Sequence, residues 1–208
     1  MTTLTESEGI TFVSGHLTFP TIGLAVTTSQ AYSSGDCVGG VISFADAFRS
    51  TNLMSGILQT MIIVDKGTTS CSGMDFYFLD TATTGTAPTN DSALALADAD
   101  LLKVCGRVQF TSGDYRVWSD NSIAVKDNLG IPVRATTGTT LLAVAMMTST
   151  GFVYTSTGDV TVKLSILADG GSNAWCTDSK SAGPAGEQRG LVAARAWPGV
   201  VDRHVRTR

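Results

Sequence analysis

Asp159-Val160-Thr161-Val162-Lys163-Leu164-Ser165-Ile166-Leu167 decides the fold class. Val160, Val162, Leu164 and Ile166 alternate with Thr161, Lys163 and Ser165, and a period of two sends successive side chains to opposite faces of a strand. This is a strand with one face buried. The same alternation places Val38, Gly40, Ile42 and Phe44 on one face of a second strand. In a third, Val104, Gly106, Val108 and Phe110 share a face, with Cys105, Arg107 and Gln109 opposite.

Apolar runs at Ile57 to Val64, Phe76 to Leu79 and Leu141 to Met147 have strand length. They read as strands covered on both faces, by a second sheet or by a neighbouring subunit. Shorter strands are expected at Ile10 to Phe19, Leu24 to Thr28, Tyr115 to Trp118, Ser122 to Val125 and Ile131 to Arg134. Turn signals at Ser33 to Asp36, Lys66-Gly67, Ser112 to Asp114, Asp127-Asn128 and Thr137-Gly138 are spaced as in a sandwich rather than a βαβ fold. The only helical stretch in this region is Asp91 to Leu102, with Asp91 or Asp98 as N-cap, and it reads as one short turn of helix on the sandwich.

Composition agrees with an all-β chain. Ser and Thr supply 49 of 208 residues, and β-branched Thr suits a pleated surface. The longest apolar run, Leu141 to Met147, is far shorter than the roughly 20 residues that cross a bilayer as a helix. The N-terminus carries Glu6 and Glu8 with no basic start before an apolar segment, so no secretory signal is expected. The protein is expected to act where it is made, or to leave by lysis.

Charge divides the chain. Residues 1–169 hold 15 acidic against 8 basic residues (−7), whereas residues 170–208 hold 3 against 6 (+3). An acidic body repels phosphate, which argues against a nucleic-acid or membrane partner. After Asp169 the alternation ends and Gly170-Gly171 opens a basic stretch containing Pro184 and Pro198. It reads either as a disordered tail or as an arm that docks through Trp175 and Trp197 beside Arg189, Arg195, Arg203 and Arg206, since Trp and Arg dominate interface hot spots. The expected organisation is an N-terminal arm or extra strand (1–21), a β-sandwich (22–169) and a basic arm (170–208).

Chemistry-bearing patterns are sparse. The two histidines, His16 and His204, lie near opposite ends, and no P-loop, dinucleotide fingerprint, HExxH or EF-hand loop occurs. Asp98 with Asp100 is the only close carboxylate pair in the body, and a helix start explains it better than a metal site. No catalytic residue, metal or cofactor is expected. Cys37, Cys71, Cys105 and Cys176 contain no CxxC spacing, so zinc is not expected either. They are either small buried hydrophobes or cross-linking thiols, Cys71 in a loop and Cys105 on a polar face being the two expected to be accessible.

The chain resembles a family of small β-sandwich proteins of tailed bacteriophages, encoded beside the major capsid protein and regarded as head decoration or cement proteins. The resemblance is carried by Tyr32 to Gly40 leading into Ile42 and Phe44, Gly56 to Gln59 running to Val64-Asp65-Lys66, and Asp75 to Leu79. It continues through Thr89 to Asp91, Ala97 to Leu101, Ile131-Pro132, and Tyr154 to Val162 ending at Leu167 to Asp169. It covers roughly residues 22 to 169, and the first 20 residues or so and the last 39 depart from the family's pattern. It implies a jelly-roll-like antiparallel sandwich on the capsid exterior of a virion, with the major capsid protein and further copies of itself as partners. A trimer at local three-fold positions is expected, with a dimer as the alternative. From another class, a carbohydrate-binding or host-adhesion module would use Tyr115, Trp118, Phe152 and Tyr154 as its platform. A hydrolase built on the scattered acids ranks last.

Overall fold

The decisive alternating segment forms a nine-residue strand in which Val160, Val162, Leu164 and Ile166 are fully buried. The computed structural model describes residues 16–28, 30–51, 54–67, 73–150 and 152–168. The chain divides into two units, Met1–Ser172 and Asn173–Arg208, and every described residue belongs to the first.

In chain order the strands are β1 His16–Thr18, β2 Thr21–Gly23, β3 Ala31–Tyr32, β4 Cys37–Phe44, β5 Ser55–Asp65, β6 Met74–Leu79 and β7 Val104–Phe110. There follow β8 Tyr115–Trp118, β9 Asn121–Lys126, β10 Ile131–Arg134, β11 Leu141–Met147, β12 Phe152–Val153 and β13 Val160–Ala168. One sheet runs β1-β13-β5-β9-β8, with β2 also pairing β13 and β10 also pairing β5; the other runs β4-β11-β6-β7. All of these strand pairs are antiparallel. Taking β2, β4, β5, β6, β7, β9, β11 and β13 in turn, the two sheets are ordered 2-13-5-9 and 4-11-6-7. This is the eight-stranded double Greek key of a jelly roll.

Between the sheets lie Phe44, Phe76, Phe78 and Phe110 from one layer and Leu58, Met61, Ile63 and Leu164 from the other. Phe110 meets Phe76 edge to face at a centroid distance of 6.2 Å. Burying each such side chain contributes about 1.5–3 kcal/mol, which makes the core the main source of stability.

Three irregularities break the period of two. Opposite Ser165 and Ile166, Gln59 is an extra residue in β5, and its carbonyl accepts a bond from the Leu129 amide at 3.0 Å. In β4, Gly39 and Gly40 fall between the residues paired with Ala145 and Val144 and take φ of +77° and +69°, values open to glycine. In β7, Cys105 is extra between the partners of Phe78 and Leu79.

Several expectations change here. The run Ile57 to Val64 is not covered on both faces: Leu58, Met61 and Ile63 point inward, while Ile57 is 41% exposed. The expected strand at Leu24 to Thr28 is irregular apart from a bridge between Thr28 and Tyr154. The one short turn of helix expected within Asp91 to Leu102 is α1, Asp98–Leu101, at the end of that stretch. Asp91 takes a left-handed φ of +60°, and its amide, the Ser92 carbonyl and the Leu94 amide bond the edge of β4 at Cys37 and Gly35 instead. Neither Asp91 nor Asp98 caps α1; Ala97 holds that position without a side-chain bond.

Candidate functional site: interaction surfaces

The turn aspartates hold backbone. Asp36 Oδ2 accepts from the Ser33 amide at 2.6 Å, and Asp159 Oδ2 accepts from the Thr155 and Ser156 amides at 3.0 and 2.8 Å and from the Thr155 hydroxyl. Asp114 accepts from the Thr111 amide at 2.7 Å and from Lys126 Nζ at 2.6 Å. Burial raises the Asp114 carboxyl, but the bonds from Lys126 and Thr111 outweigh it and leave its pKa below the ordinary carboxylate value. Asp80 pairs with Arg134 at 2.8 Å and Asp75 with Arg107 at 2.7 Å. Among the described residues no three His, Cys, Asp or Glu side chains are grouped to hold a metal. His16 stands exposed on β1, and His204 lies outside the described residues.

Asp98 and Asp100 do not act as a pair. Asp98 is exposed, whereas Asp100 is buried and accepts from the Thr84 amide at 2.8 Å, the Thr84 hydroxyl at 3.0 Å, the Gly85 amide at 3.1 Å and Lys103 Nζ at 2.7 Å. These bonds favour the charged form and hold the carboxyl far below its ordinary value, Lys103 contributing most and the Thr84 amide next.

Cys37 and Cys105 are both free thiols, with no disulfide between them in the single chain. Cys37 is fully buried. The bulge turns Cys105 from the polar face of Arg107 and Gln109 into a half-buried site, where its thiol lies 3.5 Å from the Phe78 carbonyl. Burial raises the pKa of both. Cys71 and Cys176 lie outside the described residues, as do Trp175, Arg189, Arg195, Trp197, Arg203 and Arg206.

The four aromatic residues expected to form a sugar platform are split between core and surface. Tyr154 is fully buried against Tyr32 and Phe152, at centroid distances of 5.9 and 5.3 Å, and Tyr115 packs against Phe110. Trp118 alone stands open, 72% exposed at the end of β8.

Two surfaces carry exposed apolar groups. On the outer face of the first sheet, register aligns Trp118, Ile123, Val64, Val125 and Ile62, with Phe19 under Lys163 at 5.4 Å. The second surface lies at the end of α1, where Leu101 is 54% and Leu102 88% exposed. An open hollow of about 440 Å³ is lined by Ile57, Val104, Cys105, Pro132 and Leu102, and another of about 300 Å³ by Tyr77, Leu94, Leu96, Leu101, Val104 and Met146. Sequence reasoning missed this second surface because it took both leucines only as part of the helical stretch. A one-turn helix has no face wide enough to bury two successive leucines.

No protein-family model matches the chain, and no curated protein matches it. Among solved structures, a chain of Desmodium yellow mottle tymovirus is similar over 81% of this chain and 89% of that one, with 12% identity and a TM-score of 0.26.

Proposed function

We propose that the chain is a structural protein of a virion, a decoration or cement protein that binds the outside of a tailed-phage head and staples neighbouring capsomers. The observation that carries this reading is the pair of sheet orders 2-13-5-9 and 4-11-6-7. Jelly rolls of this kind serve in viral capsids, lectins and cupins, so the fold narrows the choice and the surface chemistry must decide within it. Against the lectin use, Tyr115 and Tyr154 are spent in the core, so of the four platform candidates only Trp118 stands open. Against enzymatic use, Asp36, Asp80, Asp100, Asp114 and Asp159 are engaged by amides, hydroxyls or cations, and Asp75 is paired with Arg107. The resemblance in residues 22–169 favours the head of a tailed phage.

In this reading the partners are the major capsid protein and further copies of the chain, with no nucleic acid or membrane. Many weak contacts act together: a molecule touching two capsid subunits makes their separation cost several contacts at once. The basic segment 170–208, with Trp175, Trp197, Arg189, Arg195, Arg203 and Arg206, is assigned to the capsid contact on its composition. Electron cryomicroscopy of the particle that contains this chain tests the proposal. Jelly-roll density at repeated positions on the outer head surface is expected; density confined to the tail, or within the shell itself, overturns it.

A further inference from the structure

We infer that the surface formed by the end of α1 and the two hollows beside it docks a second copy of this chain across a two-fold axis. Leu102, 88% exposed, is the most open of the large apolar side chains among the described residues, and Leu101 beside it is 54% exposed. Their exposure is built into the fold. Asp100, between Asp98 and these leucines, is anchored by the amides of Thr84 and Gly85 and by Lys103. Rolling the turn to bury the leucines would strip a buried carboxylate of its donors, and an unpaired buried charge is strongly disfavoured.

The knob stands between two holes. Leu102 forms part of the lip of the 440 Å³ hollow, Leu101 part of the lip of the 300 Å³ hollow, and Val104 lines both. A two-fold contact needs a patch complementary to itself, because residue i meets j while j meets i. A knob alone or a hole alone cannot meet that condition, but a knob on the rim of its own hole can. The rim chemistry fits as well. The Arg134 side chain is 66% exposed even though it bonds Asp80, and Asp98 is exposed at the start of α1. Both signs of charge therefore border one apolar centre, which suits a surface meeting its own copy better than a partner of one dominant charge.

This inference stands apart from the capsid reading, because the free chain is measured with no particle present. Sedimentation of the full chain over a concentration series is expected to show a reversible dimer. Leu102→Arg should weaken that dimer by at least about 30-fold, as loss of a central anchor does, and, at a dilution where both proteins are monomeric, leave the melting transition unchanged because the side chain has no packing to lose within the monomer. Trp118→Arg, at the end of β8 and in the lining of neither hollow, should leave the dimer intact. A wild-type chain that sediments as anything but a dimer overturns the inference. So does a dimer that persists in Leu102→Arg, or one lost in Trp118→Arg.

Discussion

The Tyr32 hydroxyl donates to Asn90 Oδ1 at 2.7 Å, and this bond ties the start of the sandwich to the far end of the Thr81–Thr89 loop. The same oxygen accepts from the Gly39 amide at 2.7 Å, while Asn90 Nδ2 donates to the Ala25 carbonyl at 2.8 Å and to the Thr27 hydroxyl at 2.7 Å. The Tyr32 hydroxyl in turn accepts from the Thr27 amide. One amide side chain thus satisfies the bulge at Gly39-Gly40, the irregular segment after β2 and a core tyrosine.

Asn90→Ala should cost about 2–4 kcal/mol, because several groups lose a partner at once and the Tyr32 hydroxyl is buried. Asn90→Asp keeps the acceptor but loses the Nδ2 donor, so its cost should fall between those of Ala and wild type. Urea denaturation of the three chains checks the order. An Ala variant within about 0.5 kcal/mol of wild type would show that water replaces the amide at no cost.

The Asp100 network sets an acid limit on stability. Its carboxyl is held far below the ordinary value of 3.8, first by Lys103 and next by the Thr84 amide. A depressed folded pKa stabilises the fold fully above the unfolded value, and that contribution is lost as pH falls below it, because the unfolded chain takes up the proton first. Asp114, also depressed, adds in the same sense. Asp100→Asn should therefore melt lower than wild type at about pH 6, and the gap should begin to narrow only below about pH 4 and keep narrowing as the pH falls further. A gap independent of pH would mean that the carboxylate charge is not what anchors α1.

The strands with a clean period of two, β13 and the inward row of β4, were legible because alternation alone marks a buried face. What escaped the sequence were the places where backbone bonds override side-chain pattern. Cys105 sits in a bulge that no local residue announces, so counting by two from Val104 assigned it to the wrong environment. Asp91 to Ala97 has helix-favouring composition, but its backbone is bonded along the edge of β4, a contact between segments more than 50 residues apart. Asn90 stands in no local pattern that marks its role, because its four partners come from three other segments.

The two described thiols should react slowly and in a fixed order. Thiolate is the reacting species, and burial raises the pKa of both Cys37 and Cys105. Cys37 is fully buried and should resist iodoacetamide until the protein unfolds, whereas half-buried Cys105 lines an open hollow and should be modified first. Peptide mass spectrometry after timed alkylation of a Cys71→Ser, Cys176→Ser chain reads the two rates directly. Modification of Cys37 in the folded chain at the rate of Cys105 would require a loosening of the edge strand β4.

Trp118 and Tyr154 separate surface from core, and with them the two functional classes. Tyr154→Ala empties a space bounded by Tyr32 and Phe152 and should cost about 3–5 kcal/mol, as loss of a buried aromatic does. Trp118 is 72% exposed, so Trp118→Ala should shift stability by no more than about 0.5 kcal/mol. Sugar binding on an aromatic platform would need side chains open to solvent on one face, and only Trp118 of the four candidates has that freedom. Titration of the full chain with mixed oligosaccharides should therefore give no tryptophan fluorescence change that is lost in Trp118→Ala. A saturable change abolished by that substitution would instead move the sheet face around Trp118 from structural surface to ligand site, and the adhesion-module reading would replace the capsid one.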